Sequence, residues 1–164
     1  MNQSEKRLFL IQSLLKERPE YRDLSIPAEP ESQRQLLRGL MNIRAPQRIE
    51  AEFLKMQDAY LQDETAAKGV TDIADLTPIQ PELYLWQGDI TTLKCDAIVN
   101  AANSGMTGCY IPNHRCIDNT IHTFAGVELR LVCEKLMEQQ GYPEPTGQAK
   151  ITPAFNLPCK YVLH

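Results

Sequence analysis

The sequence lacks both an excess of basic residues and any long hydrophobic run. Its 17 Lys and Arg residues against 21 Asp and Glu residues give a net charge of −4. Nucleic acids and anionic membranes are bound through clustered cations, so neither is expected as a partner. No apolar stretch approaches the roughly 18 residues of a membrane span. The first residues alternate charge with leucine and contain no signal-peptide core, so we expect a cytoplasmic protein.

The sequence also lacks the paired cysteines of a secreted, disulfide-stabilised protein. Its five cysteines are an odd number at irregular spacing, which favours reduced thiols or metal ligands. The 164 residues are enough to bury one hydrophobic core without disulfides.

The first 80 residues predict three amphipathic helices. The first begins at the candidate cap Ser4 and ends before Pro19. The second covers about residues 32–43, and the third begins at Pro46 and ends at Gly69. The apolar faces consist of Leu8, Ile11, Leu14 and Leu15 in the first helix and of Ile49, Phe53, Met56 and Tyr60 in the third. Such stripes are typical of helices that pack against a core and carry no chemistry.

From Pro81 onward the pattern changes to short apolar runs between turn residues. LYLWQGDI (83–90) and DAIVNAAN (96–103) predict strands, the second buried on both faces as in the centre of an α/β sheet. Residues 116–126 and 127–141 predict helices, the latter ending on a glycine. QAKITPAF and KYVLH predict two further strands. The alternation of strands and helices predicts an α/β layered fold.

Candidate ligand-binding groups lie at the ends of two predicted strands. The Asp89 carboxylate can accept a hydrogen bond from an exocyclic amine such as that of adenine, beside the backbone N–H of Ile90. The alternative is that Asp89 only caps a turn. Asn100 and Asn103 follow the buried strand, at the edge where α/β sheets bind ligands. Their amides suit ribose hydroxyls, or they close local turns.

The segment GCYIPNHRC, residues 108–116, concentrates potential metal ligands. It contains Cys109, His114 and Cys116, whereas the rest of the chain has only five Cys or His. The spacing differs from that of a zinc finger, and three ligands leave a fourth position open, as at catalytic zinc sites. The alternative is two buried thiols and a surface histidine. The other cysteines, in contexts typical of packing, are Cys95, Cys133 and Cys159.

Asp118 follows the last candidate ligand by two residues, near the start of a predicted helix. An acid at this position interacts favourably with the helix dipole, or it acts as a general base or ribose-orienting group beside the metal. His122 lies one turn later on the same face and is expected to pack or to support the site, not to bind the metal.

In this order, these residues resemble the macrodomain family, specifically its zinc-containing branch of ADP-ribosyl hydrolases. The matching run is WQGDITTLKCDAIVNAANSGMTGCYIPNHRCIDNTIHTFAG, residues 86–126, with a weaker match through YVLH. The resemblance implies a mixed sheet between helical layers, with Asp89 and Ile90 binding adenine and Asn103 binding the distal ribose. It also implies one zinc ion beside that ribose, bound by Cys109, His114 and Cys116.

The resemblance implies further that Asp118 is the catalytic aspartate of macrodomain hydrolases. Residues 1–80 resemble the helical N-terminal extension of this branch, and residues 81–164 resemble the N-terminal half of a macrodomain. Family members continue after YVLH into further strands, helices and a glycine-rich loop that binds the diphosphate. We therefore expect the α/β fold to be incomplete here and the chain to be truncated on its C-terminal side.

The activity expected of the parent protein is hydrolysis of the bond between a protein side chain and mono-ADP-ribose. Asn103 would orient the ribose, and Asp118 would position or deprotonate the attacking water. The substrate would be an ADP-ribosylated protein, and the branch is often encoded beside a sirtuin-type ADP-ribosyltransferase. The alternatives are a non-catalytic ADP-ribose-binding module, because one fold hosts both functions, and an inactive fragment that lacks the phosphate-binding loop.

Overall fold

The first half of the molecule is a layer of three packed helices. The computed structural model describes residues 1–21 and 23–164. The helices are α1 (Gln3–Lys16), α2 (Pro30–Ile43) and α3 (Ala51–Lys68), as their apolar stripes predict. Their contacts bury a shared core that includes Leu10, Ile11, Leu37, Phe53 and Leu61. Within the described residues, no helix combines the length and apolarity needed to cross a bilayer.

Two predicted helix starts are wrong. Asn2 caps α1 instead of Ser4, because its side chain accepts the Glu5 N–H while the Glu5 carboxylate accepts the Asn2 N–H. The third helix begins at Ala51 instead of Pro46. The guanidinium of Arg44 donates to the carbonyls of Gln47 and Arg48, and these bonds stabilise a non-helical connection before α3.

Residues 83–90 do not form the predicted strand. Glu82 has a positive φ of 61° in a tight turn, and Leu83 both donates to and accepts from the backbone of Gln80. The indole of Trp86 then folds over Gly88. The turn and this side-chain packing interrupt the extended backbone that an apolar run of this length otherwise favours.

A short parallel ladder connects the two parts of the chain. It pairs β1 (Thr71–Asp72) with β2 (Leu93–Lys94). Lys94 and Asp72 form an ion pair at 2.8 Å across this ladder. The domain boundary at residue 80 stays a prediction, and β1 on its N-terminal side contributes a strand to the ladder with β2.

The mixed sheet predicted for the second half is confirmed. It contains β3 (Ala97–Val99), β4 (Ile151–Pro153) and β5 (Tyr161–Leu163) in the order β3-β5-β4. β3 and β5 are parallel, whereas β4 and β5 are antiparallel. The helices α4 (Ile117–Ala125) and α5 (Val127–Gln140) follow β3 in the chain, as predicted. Gly141 ends α5 in the left-handed conformation that favours glycine.

Helices α4 and α5 cover one face of this sheet. Ile98 and Val162 point into a core formed with residues of both helices, which include Ile121, Ala125, Leu129 and Cys133. On the opposite face Val99 is 66% exposed, and Tyr161 is 46% exposed. The prediction that the strand of Val99 is buried on both faces is therefore wrong in this chain.

Arg130 on α5 fixes the end of α2 against the second half. Its buried guanidinium donates to the carbonyls of Asn42 at 2.7 Å and Arg44 at 2.6 Å, and also to that of Thr107 at 2.7 Å. These carbonyls include acceptors that the C-terminal end of α2 leaves without intrahelical partners. The contact brings α2 against the loop that follows β3, which contains the candidate site.

Candidate functional site

Asp118 is the centre of a buried polar cluster at the carboxyl end of β3. It lies in the first turn of α4 and is 4% exposed. Asn100, directly after β3, donates to Asp118 Oδ1 at 2.8 Å. Asn103 donates to Asp118 Oδ2 at 3.4 Å and to the carbonyl of Gly108 at 3.2 Å. The structure therefore brings together three of the residues predicted from the sequence, Asn100, Asn103 and Asp118.

The environment of this carboxylate changes its acidity. Burial raises the pKa of Asp118 above its ordinary value, although the hydrogen bonds from Asn100 and Asn103 and the charge of Arg130 act in the opposite direction. A carboxyl group with a raised pKa is a stronger base when ionised, which is the property that general-base catalysis requires.

The candidate metal loop lies next to this cluster. Cys109 Sγ is 3.5 Å from His114 Nδ1, and the potential ligand atoms of Cys109, His114 and Cys116 all lie within 4.8 Å of one another. Cys116 is also the N-cap of α4, where its Sγ accepts the N–H of Asn119 at 3.4 Å. Burial raises the pKa of Cys116. The three predicted ligands thus converge from one short segment.

The backbone of the loop requires particular residues. Gly108 has a φ of 86°, and a Cβ at this position would lie 2.8 Å from Cγ of His122. Asn113 has a φ of 55°, a conformation that asparagine tolerates better than most residues. Glycine and asparagine at these positions therefore allow the chain to turn so that Cys109 and His114 face Cys116.

Three residues that sequence reasoning missed fix the loop in place. Arg38 donates to the carbonyl of His114 at 3.0 Å and to Asn119 Oδ1 at 3.0 Å. Asn119 in turn donates to the carbonyls of Ile111 and Cys109, and Asn42 accepts the N–H of Asn113 at 3.0 Å. Arg38 and Asn42 lie about seventy residues before the loop, so no local sequence signal could have identified them.

Asp89 occupies a separate position at the start of a 3-10 helix, Ile90–Thr92. Its Oδ1 accepts the N–H of Thr91 at 3.0 Å and the hydroxyl of Thr91 at 2.6 Å. Its Oδ2 forms an ion pair with Lys68 at 3.1 Å. Burial raises the pKa of Asp89, but the bonds from Thr91 and Lys68 outweigh burial and leave the pKa below its ordinary value. Asp89 thus caps a turn, and its side chain remains 40% exposed.

A cleft of about 550 Å³ lies between α2, α3 and α4. Its lining includes four cationic side chains and two acidic ones, which are Arg34, Arg38, Lys68, Arg115, Glu31 and Glu64. Lys68 connects this cleft to Asp89 through the ion pair, and Arg115 belongs to the candidate metal loop. The excess of cations favours an anionic ligand.

A second group of buried ionisable side chains lies behind Asp118. His122, Cys133 and His164 have potential metal-ligand atoms within 4.8 Å of one another. Burial lowers the pKa of His122 to about 3 and that of His164 to about 4, and burial raises the pKa of Cys133 to about 12. All three are therefore neutral near pH 7.

The buried neutral state of His122 predicts an acid-dependent loss of stability. An unfolded histidine titrates near pH 6.5, so below that pH the unfolded chain binds a proton that the folded chain excludes down to about pH 3. Stability therefore falls as the pH falls through this window, by about 2 kcal/mol at pH 5 from His122 alone. The charged or titratable groups near His122 are Arg130, the Asp118 carboxylate, whose Oδ1 lies 3.5 Å from His122 Nε2, and the neutral ring of His164.

The variant that tests this prediction is His122→Leu. It removes the titrating ring without breaking a hydrogen bond, because neither ring nitrogen has a hydrogen-bond partner within residues 1–21 and 23–164. Urea unfolding at pH 7 and pH 5 measures the free energy of unfolding, which is expected to fall less between these two pH values in the variant than in the wild type. Equal losses in the two proteins would contradict a neutral His122.

Comparison with known proteins supports the α/β assignment. Residues 99–164 match the family model described as Macro domain. The chain aligns over 79% of its length, at 25% identity and a TM-score of 0.51, with the crystal structure of the Trypanosoma brucei macrodomain in complex with ADP, of which it covers 58%. The shared architecture is therefore that of macrodomains.

Closer relatives are found among curated proteins. The chain is 60% identical over its whole length to a protein-ADP-ribose hydrolase of Treponema medium and covers 64% of that protein. It is 49% identical over 95% of its length to a protein-ADP-ribose hydrolase of Staphylococcus aureus (strain MRSA252) and covers 59% of it. The chain thus spans less than two thirds of the length of these relatives.

Proposed function

Since residues 99–164 match the family model described as Macro domain, we propose that the whole protein removes mono-ADP-ribose from modified protein side chains. The observation that carries this proposal is the buried Asp118 carboxylate, bonded to Asn100 and Asn103 and adjacent to the candidate metal loop. The names of the relatives, protein-ADP-ribose hydrolase, support the same activity.

In the proposed mechanism Asp118 accepts a proton from the attacking water or orients it. Its raised pKa makes this carboxylate a better base than an exposed aspartate would be. Asn103 is exposed and lies 3.4 Å from Asp118 Oδ2, so its amide can bind the distal ribose next to the base. Binding both reactants at one site replaces an encounter in solution by a fixed geometry.

We propose that Cys109, His114 and Cys116 bind one zinc ion. Thiolate and imidazole are the ligands that zinc prefers, and a tetrahedral site places them roughly 3.6 Å apart. The separation of 3.5 Å between Cys109 Sγ and His114 Nδ1 fits this requirement. The Asn119 N–H at the start of α4 donates to Cys116 Sγ, and this bond opposes the rise in the pKa of Cys116 that burial causes. A bound zinc ion supplies a Lewis acid that polarises oxygen atoms of the distal ribose.

Asp89 and Ile90 remain the proposed contacts for adenine. The bonds from Thr91 and Lys68 occupy part of the Asp89 carboxylate, but an ionised carboxylate offers about four acceptor positions. The cationic cleft beside Lys68 is compatible with the diphosphate of ADP-ribose. A sirtuin-type ADP-ribosyltransferase stays the proposed source of the modified protein substrate.

Release of free ADP-ribose from a mono-ADP-ribosylated protein tests the proposal directly. The purified full-length protein is expected to release it catalytically. The alternative is an ADP-ribose-binding module, which the exposed Asn103 and Asp89 also favour. A protein that binds ADP-ribose in calorimetry but releases none from the modified substrate would support the binding module over the hydrolase.

The contact of Arg38 with the loop gives a prediction for the metal. Arg38→Met removes the hydrogen bonds to His114 and Asn119, so zinc affinity is expected to fall about tenfold, as for other groups that orient metal ligands. Chelator competition measures this change. Arg34→Met, one turn earlier on α2, removes an exposed ion pair with Glu31 and no bond to the candidate metal loop within the described residues, and it is the control. Equal affinities in the two variants would contradict a role for Arg38.

A further inference from the structure

A continuous series of hydrogen bonds connects β4 to Asp118 through the interior. The Oγ1 atom of Thr152 lies 2.9 Å from Nε2 of His164. The other ring nitrogen, Nδ1, lies 3.2 Å from Nδ2 of Asn100, which donates to Asp118 Oδ1 at 2.8 Å. Each of the four side chains is at most 8% exposed, so water does not compete for these bonds.

Counting protons determines the direction of every bond in this series. The amide nitrogen of Asn100 only donates, so one of its two hydrogens is donated to Asp118 Oδ1. The second hydrogen is donated to His164, whose Nδ1 must therefore carry a lone pair. The proton of the neutral ring then lies on Nε2, which donates to the hydroxyl oxygen of Thr152. Burial, which keeps the pKa of His164 at about 4, agrees with a neutral ring.

In this tautomer Nε2 of His164 is engaged in the hydrogen bond to Thr152, so a metal ion in the second buried cluster would first have to displace the Nε2 proton. A protonated Nε2 has no lone pair to offer, and this is the His164 atom that lies 4.0 Å from Cys133 Sγ. The thiol of Cys133 is itself protonated near pH 7, because burial raises its pKa to about 12. Within the described residues, both ring nitrogens of His164 are therefore engaged in hydrogen bonds, Nδ1 with Asn100 and Nε2 with Thr152.

We infer that His164 and Thr152 are positioning residues for Asp118 and act through Asn100, an inference that rests on the proposed hydrolase function. His164 binds one amide hydrogen of Asn100, which orients the other toward Asp118 Oδ1. Oδ1 is then anchored by a bond of 2.8 Å, whereas Oδ2 accepts only a longer bond of 3.4 Å from the exposed Asn103. Oδ2 is therefore the oxygen that receives the proton of the attacking water. The series of hydrogen bonds fixes the orientation of the Asp118 carboxylate and so the direction in which Oδ2 points.

Three variants of the full-length protein test this assignment. His164→Leu removes the acceptor for Asn100 and is expected to lower kcat about tenfold, with KM changed less than about twofold. His164→Asn places an amide oxygen near the position of Nδ1 and is expected to recover most of the loss. Thr152→Val removes only the far end of the series and is expected to lower kcat about threefold. Thr65 is a buried threonine of α3 outside this series. Thr65→Val is therefore the control for the effect of removing any buried hydroxyl group.

A double variant separates positioning from a general structural effect. Because His164 acts through Asp118, adding His164→Leu to Asp118→Asn is expected to lower the residual turnover no further than about twofold. A second tenfold loss in the double variant would overturn the inference, as would an unchanged kcat in both His164→Leu and Thr152→Val.

A further measurement does not depend on turnover. The side-chain amide protons of Asn100 are expected to exchange slowly with solvent in the wild type and at least about tenfold faster in His164→Leu or Thr152→Val. Equal exchange in wild type and both variants would overturn the inference even if the protein is a hydrolase. A wild type without turnover would refute the proposed function, and the exchange result would still decide whether His164 orients Asn100.

Discussion

Replacing Asp118 by asparagine is expected to lower turnover of a mono-ADP-ribosylated protein by about 100-fold to 1000-fold. Asparagine has the same shape, and its side-chain oxygen can still accept the hydrogen bond from Asn100. The substitution therefore removes the charge and the basicity but leaves the packing of α4 nearly unchanged. Release of ADP-ribose measures the effect, and binding of ADP-ribose in calorimetry is expected to change less than about fivefold.

The matched control for this variant is Asp96→Asn. Asp96 is exposed and forms a surface ion pair with Lys160, so its replacement is expected to leave turnover unchanged. If Asp118→Asn retained wild-type turnover, Asp118 would not be the general base, and the proton of the attacking water would have to pass to another group. A large loss in both variants would point to a folding defect instead of a catalytic one.

Replacing Cys109 by alanine is expected to remove the metal and the activity together. The wild type should contain about one zinc ion per chain. The variant keeps only two of the three proposed ligands, which are too few for a stable site. Cys109 is a better choice than Cys116, because the Cys116 sulfur also caps α4. Turnover should fall on the order of 100-fold if a Lewis acid polarises the ribose. Elemental mass spectrometry and ADP-ribose release measure the two effects on one preparation.

Cys95→Ala is the control for the loss of a thiol. Cys95 is free and lies outside the candidate metal loop, and its Sγ donates to the carbonyl of Ala97 at 3.3 Å. Its removal should change neither zinc content nor turnover. A Cys109→Ala protein that lost zinc but kept full turnover would refute the proposed role of zinc in the reaction. A folded wild type without metal would show that Cys109, His114 and Cys116 do not form a zinc site.

Local features of the sequence were enough to predict several elements of the second half. The helices α4 and α5 follow from their apolar spacing and from Gly141 at the end of α5. These elements depend mainly on interactions between residues three or four positions apart. The candidate metal loop is local for the same reason, since Cys109 and Cys116 are only seven residues apart.

The prediction failed where packing outweighed local preference. The apolar run 83–90 has the composition of a strand, but the turn at Glu82 and the packing of Trp86 on Gly88 give it another structure. Strand formation needs a neighbouring strand with which to pair, and the sequence contains no direct information about that partner. The start of α3 was misplaced for a similar reason, since Arg44 binds the carbonyls before it.

By itself, the sequence determined the order of the motifs, the type of most elements and the identity of the candidate ligands and base. Only the tertiary structure placed Asn100 2.8 Å from Asp118, Arg38 against the carbonyl of His114, and His164 behind Asn100. These residues are 18, 76 and 64 positions apart in the chain. Hydrogen bonds over such separations form only after the helices pack on the sheet, because packing, and not local propensity, brings their donors and acceptors together and excludes water from them.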